Sequence, residues 1–319
     1  MIRKTVAVIV LVTALAAVFV ASFLGAFHAP RPHDVPVAVV GPAPVVATLR
    51  AALDARVPGA FALTPYADER AARDALAARE VDAVLAPQAG RLVVASAAGR
   101  TGATVVTEAF QAAARAQGRP LAVEDAIPLP AGDAGGISGM FYVLALVVPG
   151  IAVALLLSRA APGLGAGGRL AALVSAAVVA GAVNAWLADV AFGALPGHLP
   201  ALAAVSAAVV LAIALAAAGL NRAAGPAGVA VAAMLFIPVG LPASGGPLGA
   251  RFIPQWYAAV GQVLPVRQAA DAVRNVVSFD GAALGVPLLV LGGWALLGVV
   301  LLTLPERRKA PAPEPVLVG

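Results

Sequence analysis

The sequence predicts an α-helical polytopic membrane protein, with about six transmembrane helices and one inserted extracytoplasmic α/β domain. Three observations predict it. The chain of 319 residues is 61% hydrophobic and 12% charged, with a mean hydropathy of +0.94, which belongs in a bilayer. Several apolar runs reach the roughly 20 residues needed to cross a hydrocarbon core about 30 Å thick. Between the first run and the rest, residues 28–136 change to shorter, alternating patterns of the kind that strands and amphipathic helices make.

Residues 1–27 contain the first apolar run, Thr5 to Phe27, behind Arg3 and Lys4. The run is longer than a signal peptide's core, and Phe27, His28, Ala29 and Pro30 lack a small-x-small cleavage pattern, so the segment reads as an uncleaved signal anchor. In the segment that follows, Val35–Gly41 reads as a strand, Pro44–Val57 as a helix and Phe61–Tyr66 as a strand. Asp68–Arg79 is a charged helix, Val81–Ala86 and Leu92–Ala97 are strands around a turn at Gln88–Gly90, Thr104–Ala116 is a helix, and Leu121–Ile127 a last strand. That βαβαββαβ order is an α/β pattern. The Pro- and Gly-rich stretch Pro128–Gly136 ends it, because it continues neither a helix nor a central strand.

Residues 137–304 form the predicted membrane domain. Its spans are Ser138–Leu157, Leu170–Phe192, Leu199–Leu220 and Leu284–Leu304, with a shorter, proline-punctuated run at Gly228–Leu241. Residues 243–283 are too polar to cross and too apolar for a free loop. Within them Pro265 opens a helix with Val266, Ala270, Val273 and Val277 on one face and Arg267, Asp271 and Arg274 on the other. It reads as an outer amphipathic helix, lying on the membrane surface or capping the bundle; a re-entrant connector packed on the other helices stays equally open. Residues 305–319 form a tail.

The net charge of +5 is a topology signal, not a nucleic-acid footprint, because the excess bases lie beside apolar runs. Arg3, Lys4, Arg159, Arg169, Arg222, Arg307, Arg308 and Lys309 all fall on one side if both termini are cytoplasmic. Residues 28–136 are then extracytoplasmic, in a multi-pass protein of the cell membrane.

Little in the chain carries chemistry. The absence of cysteine excludes disulfides, thiolate metal sites and thiol nucleophiles. Gly163–Leu170 matches GxGxxG, but no strand precedes it, and Arg169 and Leu170 stand where a P-loop needs Lys and Ser or Thr. His28, His33 and Asp34 read as solvated stalk residues instead of zinc ligands. Met140 occupies the last position of a GxSxG centred on Ser138 and no histidine is placed to activate that serine, so hydrolase chemistry is unsupported. No catalytic, cofactor or metal site is predicted, and the chain does not read as an enzyme. Asn184 and Asp189 in the third span are candidates for pathway or packing residues, since polar groups inside a span are costly. Small residues recur in the third and fourth spans: Ala176, Ala177, Ala180 and Gly181, then Ala203, Ala204, Ala207 and Ala208. They permit close helix packing and gliding contacts between subunits.

The order of parts resembles the ABC-2 type transporter permeases, most closely their YhgE/Pip (phage infection protein) branch. Local stretches resemble it too: Val35–Gly41, Leu92–Ala98, Pro128–Pro130 with Asp133 and Gly136, and Leu264–Pro265 through Arg274 to Phe279, Asp280 and Gly281 before the last span. The resemblance implies the membrane subunit of an exporter for a hydrophobic or amphipathic compound. It would be driven by a separate cytoplasmic P-loop ATPase and would work as a homodimer or as a heterodimer with a similar permease. Two features depart from the pattern: only four residues precede the first span, and the Ser158–Arg169 loop is short and glycine-rich where a rigid coupling helix is expected. The alternative is a membrane-anchored surface protein whose α/β domain binds an envelope component, an accessory protein or a phage.

Overall fold

The computed structural model describes residues 2–303, so the predicted tail, 305–319 with Arg307, Arg308 and Lys309, lies outside the described residues. The chain is mostly helical, and six helical segments are long and apolar enough to cross a membrane. The first, α1 (Ile2–Phe27), is exposed along most of its length; only its last turns pack, through Ser22, Phe23, Ala26 and Phe27.

A five-stranded sheet follows, built from β1 (Val35–Val40), β2 (Phe61–Tyr66), β3 (Ala83–Ala86), β4 (Arg91–Val94) and β5 (Ala122–Asp125) in the order β2-β1-β3-β4-β5. β1 pairs in parallel with β2 and β3, β3 and β4 form an antiparallel hairpin, and β4 pairs in parallel with β5. Helix α2 (Ala43–Asp54) leads from β1 to β2, and α3 (Glu69–Ala77) from β2 to β3. Because β2 and β3 flank β1 on opposite sides, right-handed crossovers send these helices to opposite faces. The buried side chains divide accordingly. Val35, Val37 and Val39 of β1 face Val46 and Leu53 of α2 and Val106 and Phe110 of α4 (Arg100–Arg115), while Ala38 faces Ala72 and Leu76 of α3. Asp68 caps α3 by accepting the Ala71 N–H at 2.8 Å.

The return to the bundle is fixed by Asp133, whose buried carboxylate accepts the Ile137 and Ser138 N–H groups and the Ser138 hydroxyl at 2.8–3.1 Å. Those are orphan donors at the start of α5 (Ser138–Ala160). Next come α6 (Ala166–Trp186), widening into a π-turn at Leu187–Ala191, and α7 (Leu199–Ala224). Helix α6 takes in Gly167, Gly168 and Arg169, residues that read as loop in the sequence. Helix α7 is the hub of the bundle, the most buried of the six spans. A Cβ on Gly181 of α6 would meet the Ala207 backbone N of α7 at 2.5 Å, so the small residues of the third and fourth spans press backbone to backbone within one chain.

The fifth span is composite: α8 (Pro226–Met234), a π-turn at Leu235–Val239, and α9 (Gly240–Ala243). Pro238 removes a donor and forces the ladder open. Pro242, four residues on, has no N–H for the Pro238 carbonyl; the Ser22 hydroxyl of α1 donates to it instead. The Tyr257 hydroxyl contacts Ser22 and donates to the Val239 carbonyl at 3.0 Å.

Tyr257 belongs to α10 (Gln255–Val263), which with α11 (Pro265–Ser278) makes a helical hairpin turning at the extended Leu264. At its tip the Val263 carbonyl accepts the indole N–H of Trp294 at 2.8 Å, and Trp294 stands midway along α12 (Gly285–Leu302). The hairpin therefore runs alongside the last span to its middle. Helix α11 is buried on most of its circumference, including Val266, Val273, Val277, Gln268 and Asn275.

Candidate functional site

The sheet and the bundle meet along a seam made by the segments on either side of the hairpin. Before α10, the chain at Leu248–Phe252 runs under the sheet, its Arg251 and Phe252 carbonyls accepting the His33 and Arg31 N–H groups at 2.9 and 3.2 Å. Phe252 enters the core on the α2/α4 face. After α11, Phe279 enters the core on the α3 face, where the Arg79 guanidinium lies 4.6 Å from its ring centre. The hairpin is thus bracketed by two aromatic anchors, one on each face of the sheet.

Between these anchors lies a cavity of about 190 Å³, in which Arg79, Arg251, Arg267 and Arg274 converge with Glu80, Asp82 and Asp271. Asp271 pairs with Arg267 at 3.5 Å and Arg274 at 3.2 Å, one turn of α11 to either side. Arg267 also donates to the Ala258 carbonyl at 2.9 Å, tying α10 to α11. Asp82 has no hydrogen bond or ion pair through its side chain among the described residues, and neither does Arg251. Burial pushes the Asp82 carboxyl above the usual carboxylate range, against the opposing pull of Arg79, Arg251 and Arg274. A mainly apolar niche of about 50 Å³ adjoins the cavity and shares Gly99 and Arg274 with it; Met140, Val143, Leu241, Val273 and Val277 are among its other walls, together with Arg100 and Asp133.

Of the residues singled out in the sequence, Arg267, Asp271 and Arg274 come together in this cavity, and Pro265 opens their helix at its buried end. Asn184 and Asp189 line neither the cavity nor the niche. Asn184 donates to the Ala180 carbonyl one turn back at 2.8 Å, and Asp189 accepts the Gly197 N–H at 3.0 Å, closing the loop into α7. Arg79, Asp82 and Arg251 were not legible as site residues. Arg79 ends a charged helix and Arg251 lies in the ambiguous 243–283 stretch, but their convergence depends on contacts between segments far apart in the chain. Among the described residues no three His, Asp or Glu side chains are grouped to hold a metal ion.

Comparison with protein-family models, curated proteins and solved structures returned no match.

Proposed function

We propose that the chain is a permease-like membrane subunit of an exporter that carries a hydrophobic or amphipathic compound outward, working by alternating access as a dimer and driven by a separate cytoplasmic ATPase. In this reading both termini are cytoplasmic and the sheet with its helices is an inserted extracytoplasmic α/β domain. The observation that carries the reading is the hairpin α10–α11 between its two anchors. It lies beside α12 to mid-span, and Phe252 and Phe279 tie its ends to opposite faces of the sheet. A shift of the bundle is then transmitted to the outer domain, as a carrier that changes shape requires and a passive anchor does not. The π-turns at Leu187–Ala191 and Leu235–Val239 add non-uniform backbone inside two spans, where a helix can bend.

A second reading, a surface protein whose α/β domain binds an envelope component, is favoured by one feature: an apolar groove of about 300 Å³ between α2 and α4, lined by Val45, Leu49, Leu85, Phe110 and Leu121. Co-purification of the tagged protein from its native membrane in mild detergent, with mass spectrometry of what accompanies it, separates the two. A stoichiometric P-loop ATPase is the expected result. Cell-wall or secretion proteins in its stead would overturn the exporter reading.

A further inference from the structure

The cavity on the seam is a polar chamber with a greasy annex. Its four arginines outnumber its three carboxylates, and two of the arginines already share Asp271. Arg251 is exposed and has no side-chain partner among the described residues. Burial disfavours the charge on its neighbour Asp82, which reduces the repulsion an anion would meet there. Guanidinium forks arriving from the α3–β3 turn, the Leu248–Phe252 segment and α11 match the oxygens of a phosphate group. The chamber's 190 Å³ is many times the ~10–15 Å³ that one water needs, enough for such a group with part of its hydration.

The adjoining niche decides what kind of phosphate. Its walls are mainly apolar, with Met140, Val143, Leu241, Val273 and Val277 among them; Arg100 and Asp133 also line it, and it shares Arg274 and Gly99 with the chamber. A free ion has no use for that wall, whereas the first methylenes of an amphiphile do. We infer that the seam binds a phosphate-bearing amphiphile, its headgroup among Arg79, Arg251 and Arg274 and the start of its apolar chain in the niche. This rests on the reading of the chain as a carrier of an amphipathic compound, and it names that compound's charge.

The test is calorimetric titration of the purified full chain in a non-ionic detergent with three probes: dihexanoylphosphatidic acid, inorganic phosphate as the head alone, and dihexanoylglycerol as the tail alone. Saturable binding of the phosphatidic acid is expected, at least tenfold tighter than either fragment. Arg251→Gln should weaken it at least tenfold with an unchanged melting temperature, while Arg56→Gln, on an exposed turn away from the cavity, should leave it as it was. Phosphate binding as tightly as phosphatidic acid would mean a free-anion site, and equal binding of dihexanoylglycerol a general lipid contact; either overturns the inference, as does phosphatidic acid binding that Arg251→Gln leaves intact. Export of an uncharged amphiphile by a protein that fails to bind phosphatidic acid would sink this inference alone. Specific binding without export in reconstituted vesicles would sink the carrier reading alone.

Discussion

The ring of Phe252 fills the space a side chain at residue 102 would need: a Cβ on Gly102 would meet Phe252 Cε2 at 2.6 Å and the Leu248 carbonyl oxygen at 3.3 Å. The first turn of α4 thus rests directly on the segment that leads into the hairpin. Phe252→Ala should cost about 3–5 kcal/mol of the hold between sheet and bundle, and Gly102→Val should undock the same contact from the other side. Hydrogen exchange is the measurement. Faster exchange confined to α4 and β1, with α7 and α12 unchanged, is expected; an unchanged pattern would remove Phe252 as an anchor.

A comparable contact holds the bundle. A Cβ on Gly298 of α12 would collide with the Leu215 carbonyl of α7, and one on Gly219 would meet the Gly298 carbonyl oxygen at 2.7 Å. Gly298→Leu must push two backbones apart, not merely two side chains, so the loss should exceed the ~1–3 kcal/mol usual for overpacking. A thermal melt in detergent checks it: Gly298→Leu should melt well below the unaltered chain, and Gly293→Leu, where a Cβ meets nothing within 4 Å, should not.

The spans were legible because a helix that must satisfy its own backbone inside lipid needs a long apolar run, and runs such as Leu199–Leu220 carry that signal in composition alone. The strand at Val35 was legible for a similar reason, since a parallel strand buried on both faces is a continuous run of Val and Ala. What was not legible depends on contacts between distant segments. Helix α10 is short, Gln255–Val263, and nothing local says that its end meets Trp294. Asp189, a candidate pathway or packing residue in the sequence, lies in a π-turn and accepts a loop N–H from Gly197, a contact that its spacing does not announce. Arg79, Asp82 and Arg251 are ordinary surface residues in sequence and become a site only because the α3–β3 turn and the Leu248–Phe252 segment meet.

The junction of α1 with the fifth span depends on one hydroxyl. Ser22 donates to the Pro238 carbonyl, which Pro242 cannot serve. Ser22→Ala should cost about 1 kcal/mol, the usual scale for a hydrogen bond between membrane helices, and Ser22→Thr should restore it. Melting of the detergent-solubilised variants reads the difference. Equal melting of all three would mean that the apolar contacts of Phe23, Ala26 and Phe27 suffice.

The proposed orientation rests on the charge distribution and can be read directly, because the chain has no cysteine of its own. Single cysteines at Ala78 and Ala166 are both exposed, the first at the end of α3 and the second at the start of α6. An impermeant maleimide on intact cells should label residue 78 and spare residue 166 until the membrane is opened. The reverse pattern would put the sheet in the cytoplasm and overturn the proposed topology.

Two carboxylates give opposite dependences on pH. Glu124 accepts two hydrogen bonds from Arg73 at 2.6–2.7 Å, and these hold its pKa below the ordinary value. Its contribution is present above the unfolded value of about 4.3 and is lost as pH falls through the folded one. Asp82 runs the other way. Its folded pKa lies above the unfolded value of about 3.9 because burial penalises the charge, so the folded state binds the proton more tightly and Asp82 destabilises the fold at neutral pH. That penalty is relieved as pH falls through the folded pKa toward ~4. Asp82→Asn should therefore melt higher than the unaltered chain at pH 7, and the gap should narrow as pH falls toward ~4. A gap that stays constant, or an Asp82→Asn chain that melts lower at pH 7, would mean that the arginines around the cavity outweigh the cost of burying the carboxylate.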